Sequence, residues 1–325
     1  MNVAIIGCGK IGQRRAKALR AEDKLMVACD NDIWKADAMR SLHAPLCNDW
    51  GRAICLPQVD TVIIATTPDV APEIAAHAAR HGKHVLLEKP AAHRAGELDH
   101  IAQAARGGIP LCARVGFNHR YHRAIVKARE LFDAGAIGDL MYIRGRYGHG
   151  GRLGYEKEWR ADPKISGGGV LIDMGVHLID LAQWFSGEEL ELGDVVTRTY
   201  FYDQDVEDNA FLHLDSIHGK FAQLHVSNTE WKNLFSFEIF GERGKLEING
   251  LGGSYGVESC TLYAMSAEMG PPATTKWEYP MADDSWEREW LEFCEDIRLK
   301  RTPVPGIREA QAALRIVEAV YEANR

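Results

Sequence analysis

Short hydrophobic runs alternate with helical stretches along the first third of the chain. Helical patterning covers residues 10–20 and 73–80. The hydrophobic runs lie at residues 3–6, 25–29, 61–65, 84–87 and 110–115. Unbroken runs of this kind are typical of strands buried on both faces, and the helices between them are the crossovers that parallel strands need. The pattern therefore predicts an α/β fold with a doubly wound parallel sheet.

The hydrophobic pattern changes after residue 118. It predicts helices over 121–132 and 170–185, with a strand over 140–147 between them. Alternating polar and hydrophobic positions predict further strands at 195–202, 209–215, 220–227, 236–241 and 244–248. Successive strands without crossover helices pair mostly antiparallel.

This change of pattern predicts two domains. The first covers residues 1–118 and holds the parallel sheet. The second covers residues 119–325 and is an α+β domain built on a large, mostly antiparallel open sheet. Two helices at 285–300 and 307–323 close the chain. The pattern leaves open whether the C-terminal helix packs back on the first domain.

Composition narrows the class of protein. The 325 residues are 46% hydrophobic and 26% charged, which is ordinary for a globular chain. A net charge of -8 gives no basic field for nucleic acid or anionic lipid. Hydrophobic runs such as 62–65 are far shorter than the roughly 20 residues of a membrane-spanning helix. The chain opens on a strand and not on a secretion signal, and its seven cysteines form no CxxC pair, so we expect a cytoplasmic protein with reduced thiols.

A glycine-rich segment follows the first strand and opens the first helix. In a GxGxxG pattern at this place, glycines permit a tight turn, a close approach to a pyrophosphate and tight helix–strand packing. The helix amino terminus offers free N–H groups to the same anion. The segment predicts a Rossmann-type dinucleotide site with contacts from Gly7, Gly9, Lys10, Ile11 and Gly12.

Asp30 ends the second strand, eighteen residues after Gly12 (30 - 12). An acidic residue there binds the adenosine ribose hydroxyls and repels a 2'-phosphate. Asn31 follows it where a phosphate-accepting site would have an arginine, so the charge favours NAD over NADP as the cofactor. Lys35 leaves NADP open, and a simple turn-starting role for Asp30 is the alternative.

Two further segments lie at the predicted carboxyl ends of parallel strands, where such sheets bind ligands. Thr66, Thr67 and Pro68 follow one strand, and Glu88 and Lys89 follow the next. Both segments are predicted to contact the cofactor. A lysine in the second segment can reach over the nicotinamide.

The predicted helix over 170–185 carries a carboxylate and an imidazole on one face. Asp173 and His177 are four residues apart, and Asp180 and Trp184 continue their stripe. The opposite, packed face carries Leu171, Met174, Leu178, Ala182 and Phe185. A carboxylate beside a histidine orients the ring and stabilises its charged form, as a general base requires. The alternative is a solvated helix face.

Three motifs resemble the Gfo/Idh/MocA family of glucose-fructose oxidoreductase and inositol dehydrogenase. They are the glycine-rich segment at 7–12, the Glu-Lys-Pro that ends 82–90, and the Asp-x-x-x-His that ends 168–177. Their order and separations match over essentially the whole chain, and the second and third are far more specific than the glycines.

The resemblance implies roles for individual residues. Lys89 would hydrogen-bond the reacting oxygen, and His177 would take the hydroxyl proton as hydride moves to nicotinamide C4. Asp173 would assist His177 and help to hold the substrate. The Lys89–Pro90 bond would be cis, and the sheet of the second domain would form a homodimer or homotetramer interface. One position departs from the family: Pro68 and Ala71 stand where Asn and His are common, which leaves the cofactor contacts of that loop open.

Aromatic, amide and basic side chains are the candidates for the substrate pocket. Aromatic faces suit a sugar ring, amides suit hydroxyls, and arginines suit a carboxylate or phosphate. The candidates are Lys89, Asn118, Arg120, Tyr147, Arg152, Tyr155, Trp159, Asp173, His177 and Trp231, with Arg144, Arg160 and Asn233 as further members. The mixture leaves a sugar, cyclitol, sugar phosphate or nucleotide-linked sugar open, and the arginines favour an anionic one.

These observations predict an NAD(P)-dependent dehydrogenase or reductase acting on a secondary alcohol or ketone of such a molecule. Two alternatives are an NAD-dependent glycoside hydrolase with transient redox chemistry and a dinucleotide-binding sensor without catalysis. A zinc dehydrogenase using His149, His213 and His225 is disfavoured because their spacing resembles no common zinc pattern. We expect no metal, nucleic acid or membrane partner.

Overall fold

The computed structural model describes residues 1–32, 35, 39, 44–106 and 111–324. Its contacts divide the chain into two compact units. The first unit is Met1–Phe117 with Trp286–Leu314, and the second is Asn118–Ser285 with Arg315–Arg325.

The first unit holds a six-stranded parallel sheet in the order β3-β2-β1-β4-β5-β6. The strands are β1 Asn2–Ile6, β2 Lys24–Cys29, β3 Leu46–Cys47, β4 Thr61–Ile64, β5 His84–Glu88 and β6 Ala113–Gly116. Strand β4 is buried along its whole length, as its unbroken hydrophobic run predicts. The predicted doubly wound sheet is confirmed. Residue 110, where the last strand was predicted to begin, lies outside the described residues.

Within the described residues, four α-helices follow the strands of this sheet in sequence: α1 Lys10–Lys17, α2 Trp50–Ile54, α3 Ala71–Arg80 and α4 Asp99–Arg106. Helix α2 begins at Asp49, whose side chain accepts the N–H of Arg52 at 3.0 Å. Helix α3 has Pro72 in its first turn, where the missing N–H costs nothing, and it buries an alanine-rich face.

The second unit is built on one eight-stranded sheet in the order β14-β13-β12-β11-β7-β10-β9-β8. The strands are β7 Leu140–Gly148, β8 Glu191–Arg198, β9 Asn209–Asp215, β10 Phe221–Ser227, β11 Leu234–Gly241, β12 Gly244–Asn249, β13 Glu258–Ala264 and β14 Ala273–Tyr279. Only β7 and β10 pair in parallel, and the other neighbours pair antiparallel, which confirms the predicted mostly antiparallel sheet.

Helices cover one face of this sheet. They are α5 Arg123–Asp133, the short α6 Pro163–Ser166, a π-helical turn over Leu171–Gly175 and α7 Val176–Ser186. Helix α5 packs against β12, β13 and β14, and α7 packs against β7 and β10. The segment Pro163–Ser186 is long and apolar enough to cross a membrane, but 83% of its most apolar window is buried inside the structure. It therefore has the character of a core helix.

The two C-terminal helices are α8 Ser285–Leu299 and α9 Ile307–Ala323. The predicted boundaries placed both in the second domain and left open whether the C-terminal helix packs back on the first. The contacts group Trp286–Leu314 with the first unit. Trp290 and Phe293 of α8 join the same hydrophobic core as Val3 and Ile5 of β1. The sequence did not predict this packing, because the hydrophobic pattern of α8 does not indicate which distant strand the helix packs against.

The second sheet differs from prediction at two places. The strand predicted over 195–202 ends at Arg198. The buried Asp208 carboxylate accepts the backbone N–H groups of Tyr200, Phe201 and Tyr202 at 2.8–3.2 Å, which takes them out of the strand ladder. Strands β13 and β14 were not predicted, because β14 is largely exposed on both faces and shows no hydrophobic alternation.

A buried arginine joins three elements of the first unit. Arg15 of α1 is 1% exposed, and its Nε lies 2.5 Å from Oε1 of Glu88 while its Nη2 lies 2.6 Å from Oε2 of Glu289 on α8. Burial raises the pKa of the Glu289 carboxyl, and the charge of Arg15 opposes that rise. Two buried carboxylates therefore depend on one guanidinium.

Arg15→Met is expected to lower the free energy of unfolding by about 3–5 kcal/mol, because it leaves two buried carboxylates without their cation. Urea denaturation of the two proteins measures the difference. Arg14→Met is the matched control, since Arg14 is the exposed neighbour on the same helix and its loss should cost within about 0.5 kcal/mol. Equal losses from the two variants would contradict this account.

Candidate active site

The glycine-rich segment is shaped by close backbone contacts. Gly7 has φ +93°, and a Cβ there would lie 2.5 Å from the carbonyl of Ala65. A Cβ on Gly12 would lie 1.9 Å from the carbonyl oxygen of Gly7. A Cβ on Gly9 would meet no described atom within 4 Å. Two glycines thus let the strand and helix pack, while Gly9 leaves open space beside the turn.

The start of α1 is suited to an anion. Among the described residues, no side chain caps the helix at Gly9, and its first turn holds no acidic residue. Its unused N–H groups and the helix dipole favour a negative group there. Next to Gly7, the buried Oγ1 of Thr66 has no hydrogen-bond partner among the described residues. An uncapped helix and an orphaned hydroxyl both fit the phosphates and ribose of a dinucleotide.

Asp30 is tied to this segment. Its Oδ2 accepts the Cys8 N–H at 2.7 Å, and its Oδ1 accepts the Asp32 N–H at 3.0 Å. The carboxylate therefore holds a negative charge beside the glycine-rich turn. Burial raises the pKa of the Cys8 thiol to about 12, with a contribution from the charge of Asp30, so this cysteine stays protonated.

The remaining predicted cofactor residues fall into three classes of exposure. Lys10 and Asn31 are exposed, Ile11 and Thr67 are half-buried, and Pro68 is buried. Ala71, which stands where the family often has another residue, is also buried.

The two charged residues of the Glu-Lys-Pro motif lie in different surroundings, Glu88 in the core and Lys89 at the edge of the sheet. Glu88 is 6% exposed and its carboxylate faces Arg15, so it serves the fold and does not point out of the sheet edge. Lys89 follows it directly at the carboxyl end of β5 and is half-buried. The Lys89–Pro90 bond is cis, as the family resemblance implies.

The helix that carries Asp173 and His177 is not the regular amphipathic helix that was predicted. Asp173 lies in the π-helical turn, and His177 lies in the first turn of α7. The expectation of one polar face is wrong, because His177 is 2% and Asp180 1% exposed. His177 and Asp180 therefore face protein and not bulk water, whereas 23% of the Asp173 side chain is exposed.

Arg120 explains the burial of Asp180. Its Nε and Nη2 donate to the two Asp180 oxygens at 2.8 and 2.7 Å, and its guanidinium lies 5.0 Å from the Trp184 ring centroid. A bidentate pair of this kind is strong and fixed in direction. Arg120 was predicted to contact substrate, but the structure places it in an internal pair.

His177 lies among rings that come from separate segments. The His119 ring stacks on it at 3.6 Å between centroids, and the Tyr147 ring lies 6.4 Å away. Asn118, beside His119, donates from Nδ2 to Ser285 Oγ at 3.0 Å. The structure thus brings together the predicted Asn118, Tyr147 and His177. His119 was missed, and its position next to Asn118 was the only available signal.

Asp173 is surrounded by polar groups. Arg160 donates from Nε to its Oδ2 at 3.0 Å. Burial raises the pKa of Tyr155 and Tyr255, and the charge of Asp173 adds to both rises. Burial lowers the pKa of His149, and Asp173 opposes that change. Neutral phenols and a neutral imidazole therefore face one carboxylate, and Tyr255 is a member that sequence reasoning missed.

Other predicted substrate residues are engaged elsewhere. Arg152 donates from Nε to Glu158 at 2.7 Å. Trp159 carries the Arg160 guanidinium 4.5 Å above its ring. Trp231 is 63% exposed.

Two further candidates are paired with other groups of the second unit. Arg144 belongs to the open face of the sheet, where it contacts Glu238 at 2.6 Å. Asn233 donates to the Ser254 carbonyl at 2.9 Å.

The three histidines of the zinc alternative do not meet. The His149 ring lies 5.8 Å from the Tyr155 ring between centroids. His213 and His225 lie on β9 and β10 at positions that alternate with buried residues, on the open face of the sheet. No shared ion site joins these three side chains.

A buried carboxylate braces the start of the Asp173 helix. Glu207 accepts the N–H groups of Gly169 and Leu171 at 2.9–3.2 Å and the Tyr321 hydroxyl at 3.0 Å. A Cβ on Gly168 would lie 1.9 Å from the Tyr321 oxygen, and one on Gly169 would lie 2.0 Å from the Glu207 carbonyl oxygen. Gly168 and Gly169 are therefore required because any side chain there would collide with Tyr321 or Glu207. Burial raises the pKa of the Glu207 carboxyl, against the hydrogen bonds that lower it.

Comparison with known proteins gives consistent matches. Residues 1–108 match an oxidoreductase family with an NAD-binding Rossmann fold, and residues 125–247 match the GFO/IDH/MocA C-terminal domain. Inositol 2-dehydrogenase 2 of Saccharopolyspora erythraea is 28% identical over 261 residues, which cover 77% of this chain and 73% of that protein. A dTDP-3,4-didehydro-2,6-dideoxy-alpha-D-glucose 3-reductase of Streptomyces violaceoruber is 28% identical over 256 residues, which cover 77% and 72%.

A solved structure shares the fold. Levoglucosan dehydrogenase in complex with NADH and levoglucosan matches with a TM-score of 0.88 at 22% identity, covering 99% of this chain and 96% of that chain.

Glu207→Ala is expected to lower the free energy of unfolding by about 3 kcal/mol or more, since each buried donor left unsatisfied costs about 1–3 kcal/mol. Tyr321→Phe, which removes one of these donors, should cost about 1–2 kcal/mol. Urea denaturation measures both. Glu191→Ala, at an exposed position of β8, is the control and should stay within about 0.5 kcal/mol. A loss below about 1 kcal/mol for Glu207→Ala would contradict the stabilising role assigned to Glu207.

Proposed function

The chain belongs to the Gfo/Idh/MocA family of NAD(P)-dependent oxidoreductases, and we propose that it moves a hydride between NAD and a secondary alcohol or ketone of a neutral sugar or cyclitol. The predicted family, fold class and enzyme class are confirmed by the family match. The observation that carries the substrate proposal is the set of hydroxyl, amide and imidazole groups around Asp173 and His177, together with the pairing of every candidate arginine with a carboxylate.

The first unit supplies the cofactor contacts in this proposal. N–H groups at the start of α1 bind the pyrophosphate, and the open space at Gly9 lets the backbone approach it. Asp30 accepts the adenosine ribose hydroxyls, and the Thr66 hydroxyl gains the partner that it lacks within the described residues. Bound NAD supplies the hydride acceptor.

The chain's own side chains handle the proton and the oxygen. Oxidation of a carbinol removes a hydride from carbon and a proton from the hydroxyl. In the proposed roles, His177 accepts that proton and Lys89 donates a hydrogen bond to the reacting oxygen, which stabilises the negative charge that develops on it. Asp173 holds substrate hydroxyls, and Arg160 fixes its carboxylate at 3.0 Å.

The stack of His119 on His177 limits the charge that this site can hold. Two charged imidazole rings at a centroid distance of 3.6 Å would repel each other strongly. When His177 holds the substrate proton, His119 must therefore be neutral. The face of the His177 ring is covered by His119, so packing holds the ring in position.

The arginines no longer favour an anionic substrate. Sequence reasoning preferred a nucleotide-linked or other anionic sugar because of the arginine cluster. In the structure, Arg120 contacts Asp180, Arg144 contacts Glu238, Arg152 contacts Glu158 and Arg160 contacts Asp173. A guanidinium paired with a carboxylate offers little net charge to a phosphate. A neutral polyol fits the remaining groups better.

Location and assembly are further proposals. All seven cysteines are free, which agrees with a reducing cytoplasm. The open face of the second sheet carries partly exposed aromatic side chains, including Tyr142 at 38% and Phe211 at 40%. Exposed aromatic residues on a sheet face suit a protein interface, which supports the expected homodimer or homotetramer.

His177→Ala is expected to lower kcat/KM by about 10²–10⁴-fold through loss of the base, and Lys89→Ala by about 10²–10³-fold through loss of oxyanion stabilisation. NADH absorbance is read on a panel of cyclitols, anhydrosugars, free sugars and nucleotide-linked sugars. His177→Ala should keep the thermal shift that NAD produces. Lys24→Ala and His218→Ala, at exposed positions, are the controls.

Two results would contradict this assignment. Unchanged kcat/KM in His177→Ala would remove it from catalysis. Cleavage of a glycoside without net NADH would favour the hydrolase alternative.

Asp30→Asn is expected to lower the ratio of kcat/KM with NAD to that with NADP by at least about tenfold, because the charge that repels a 2'-phosphate is lost. The amide oxygen can still accept the Cys8 N–H, so the turn is kept. Asp32→Asn removes the same charge two residues later and should change the ratio by less than about twofold. Equal shifts in the two variants would indicate a general field and not a specific contact.

A further inference from the structure

Three side chains of the types that bind metal ions meet on the surface of the first unit, and none of them has a role in the proposed cofactor or substrate site. Cys55 directly follows α2, His77 lies in the last turn of α3, and His81 caps that helix. Their ligand atoms all lie within 4.8 Å of one another. We propose that Cys55, His77 and His81 bind one zinc-class divalent ion, with the fourth position open to solvent or to a further ligand.

The distance between two of the ligand atoms already suits tetrahedral coordination. Cys55 Sγ lies 3.7 Å from His77 Nε2. Zinc bonds of about 2.3 Å to sulfur and about 2.0–2.1 Å to nitrogen, at a tetrahedral angle, place the two ligand atoms about 3.5 Å apart. Movement of a few tenths of an ångström at one exposed thiol therefore completes this pair.

His81 is held in the tautomer that a metal needs. Its Nδ1 lies 2.9 Å from the His77 carbonyl oxygen. A carbonyl only accepts hydrogen bonds, so Nδ1 carries the hydrogen and the lone pair stays on Nε2. Metal-bound histidines usually donate their second ring N–H to such a partner, which fixes the ring and raises its basicity. The His81 ring also stacks on His77 at 4.3 Å between centroids.

The Trp50 ring meets the His77 ring in a T-shaped contact, with 5.2 Å between the two centroids. This contact shields one side of the His77 imidazole.

The site lies at the sheet edge opposite the glycine-rich turn. In a parallel sheet the crossover helices end where the next strands begin, and α2 and α3 precede β4 and β5 respectively. Lys83, just before β5, donates to the carbonyls of Leu56 and Val59 just before β4, which shows that the two helix ends are neighbours. A bound ion would clamp these ends together and would take no part in hydride transfer.

The test uses untagged protein freed of metal with a chelator, titrated with Zn(II) and with Co(II). Co(II) bound to a thiolate gives a charge-transfer absorption, so wild-type protein should show that band and saturate at one equivalent. Zn(II) should raise Tm in a concentration-dependent way by mass action. Cys55→Ser should lose the band and weaken binding by at least about tenfold, and His81→Gln should weaken it similarly.

Cys47→Ser is the matched control, because Cys47 is a partly exposed cysteine on the neighbouring strand β3. It should keep both the band and the affinity. Absence of a thiolate band in wild-type protein, or equal binding by Cys55→Ser, would overturn the proposal. NADH formation by Cys55→Ser should stay unchanged with or without Zn(II). The metal site and the dehydrogenase activity can thus fail independently.

Discussion

A buried carboxylate must be paired with a positive charge or with a set of hydrogen-bond donors. This constraint shapes the surroundings of Lys89 in the first unit and of Asp173 and His177 in the second. In the first unit, the buried Glu88 is held by Arg15, and Lys89 is the next residue in the chain. In the second unit, the buried Glu207 gathers the N–H groups that precede Asp173 and His177. In each unit a buried acid holds the backbone beside the residue that is proposed to act.

The same constraint shapes specificity. Arg120 would attract anions if it were exposed, but its guanidinium donates to the buried Asp180 carboxylate on α7. Around Asp173, burial keeps Tyr155 and Tyr255 as neutral phenols and His149 as a neutral imidazole. Recognition by such groups depends on the direction of hydroxyl hydrogen bonds and on shape, with little long-range attraction. This favours an uncharged polyol over a phosphate ester.

Features that depend on neighbours in sequence were predictable. The parallel strands were found because strands buried on both faces are hydrophobic throughout. The glycine-rich turn was found because a backbone that approaches a strand or a phosphate leaves no room for Cβ, as Gly7 and Gly12 show. Features that depend on distant partners were not. The loop after Arg198 is made by Asp208, and the placement of α8 is made by Trp290 and Phe293 packing on β1.

The sequence by itself determined the family, the parallel sheet with its dinucleotide motif, the mostly antiparallel second sheet, and the identity of Lys89, Asp173 and His177 as the candidate catalytic groups. These are local patterns, because spacing along the chain decides which backbone conformation a segment can take. Only the tertiary structure decided that His119 stacks on His177, that the arginines are paired, and that Cys55 meets His77 and His81. Those outcomes depend on which side chains are buried together. Side chains buried together often come from distant parts of the chain, and no sequence period or motif connects such residues.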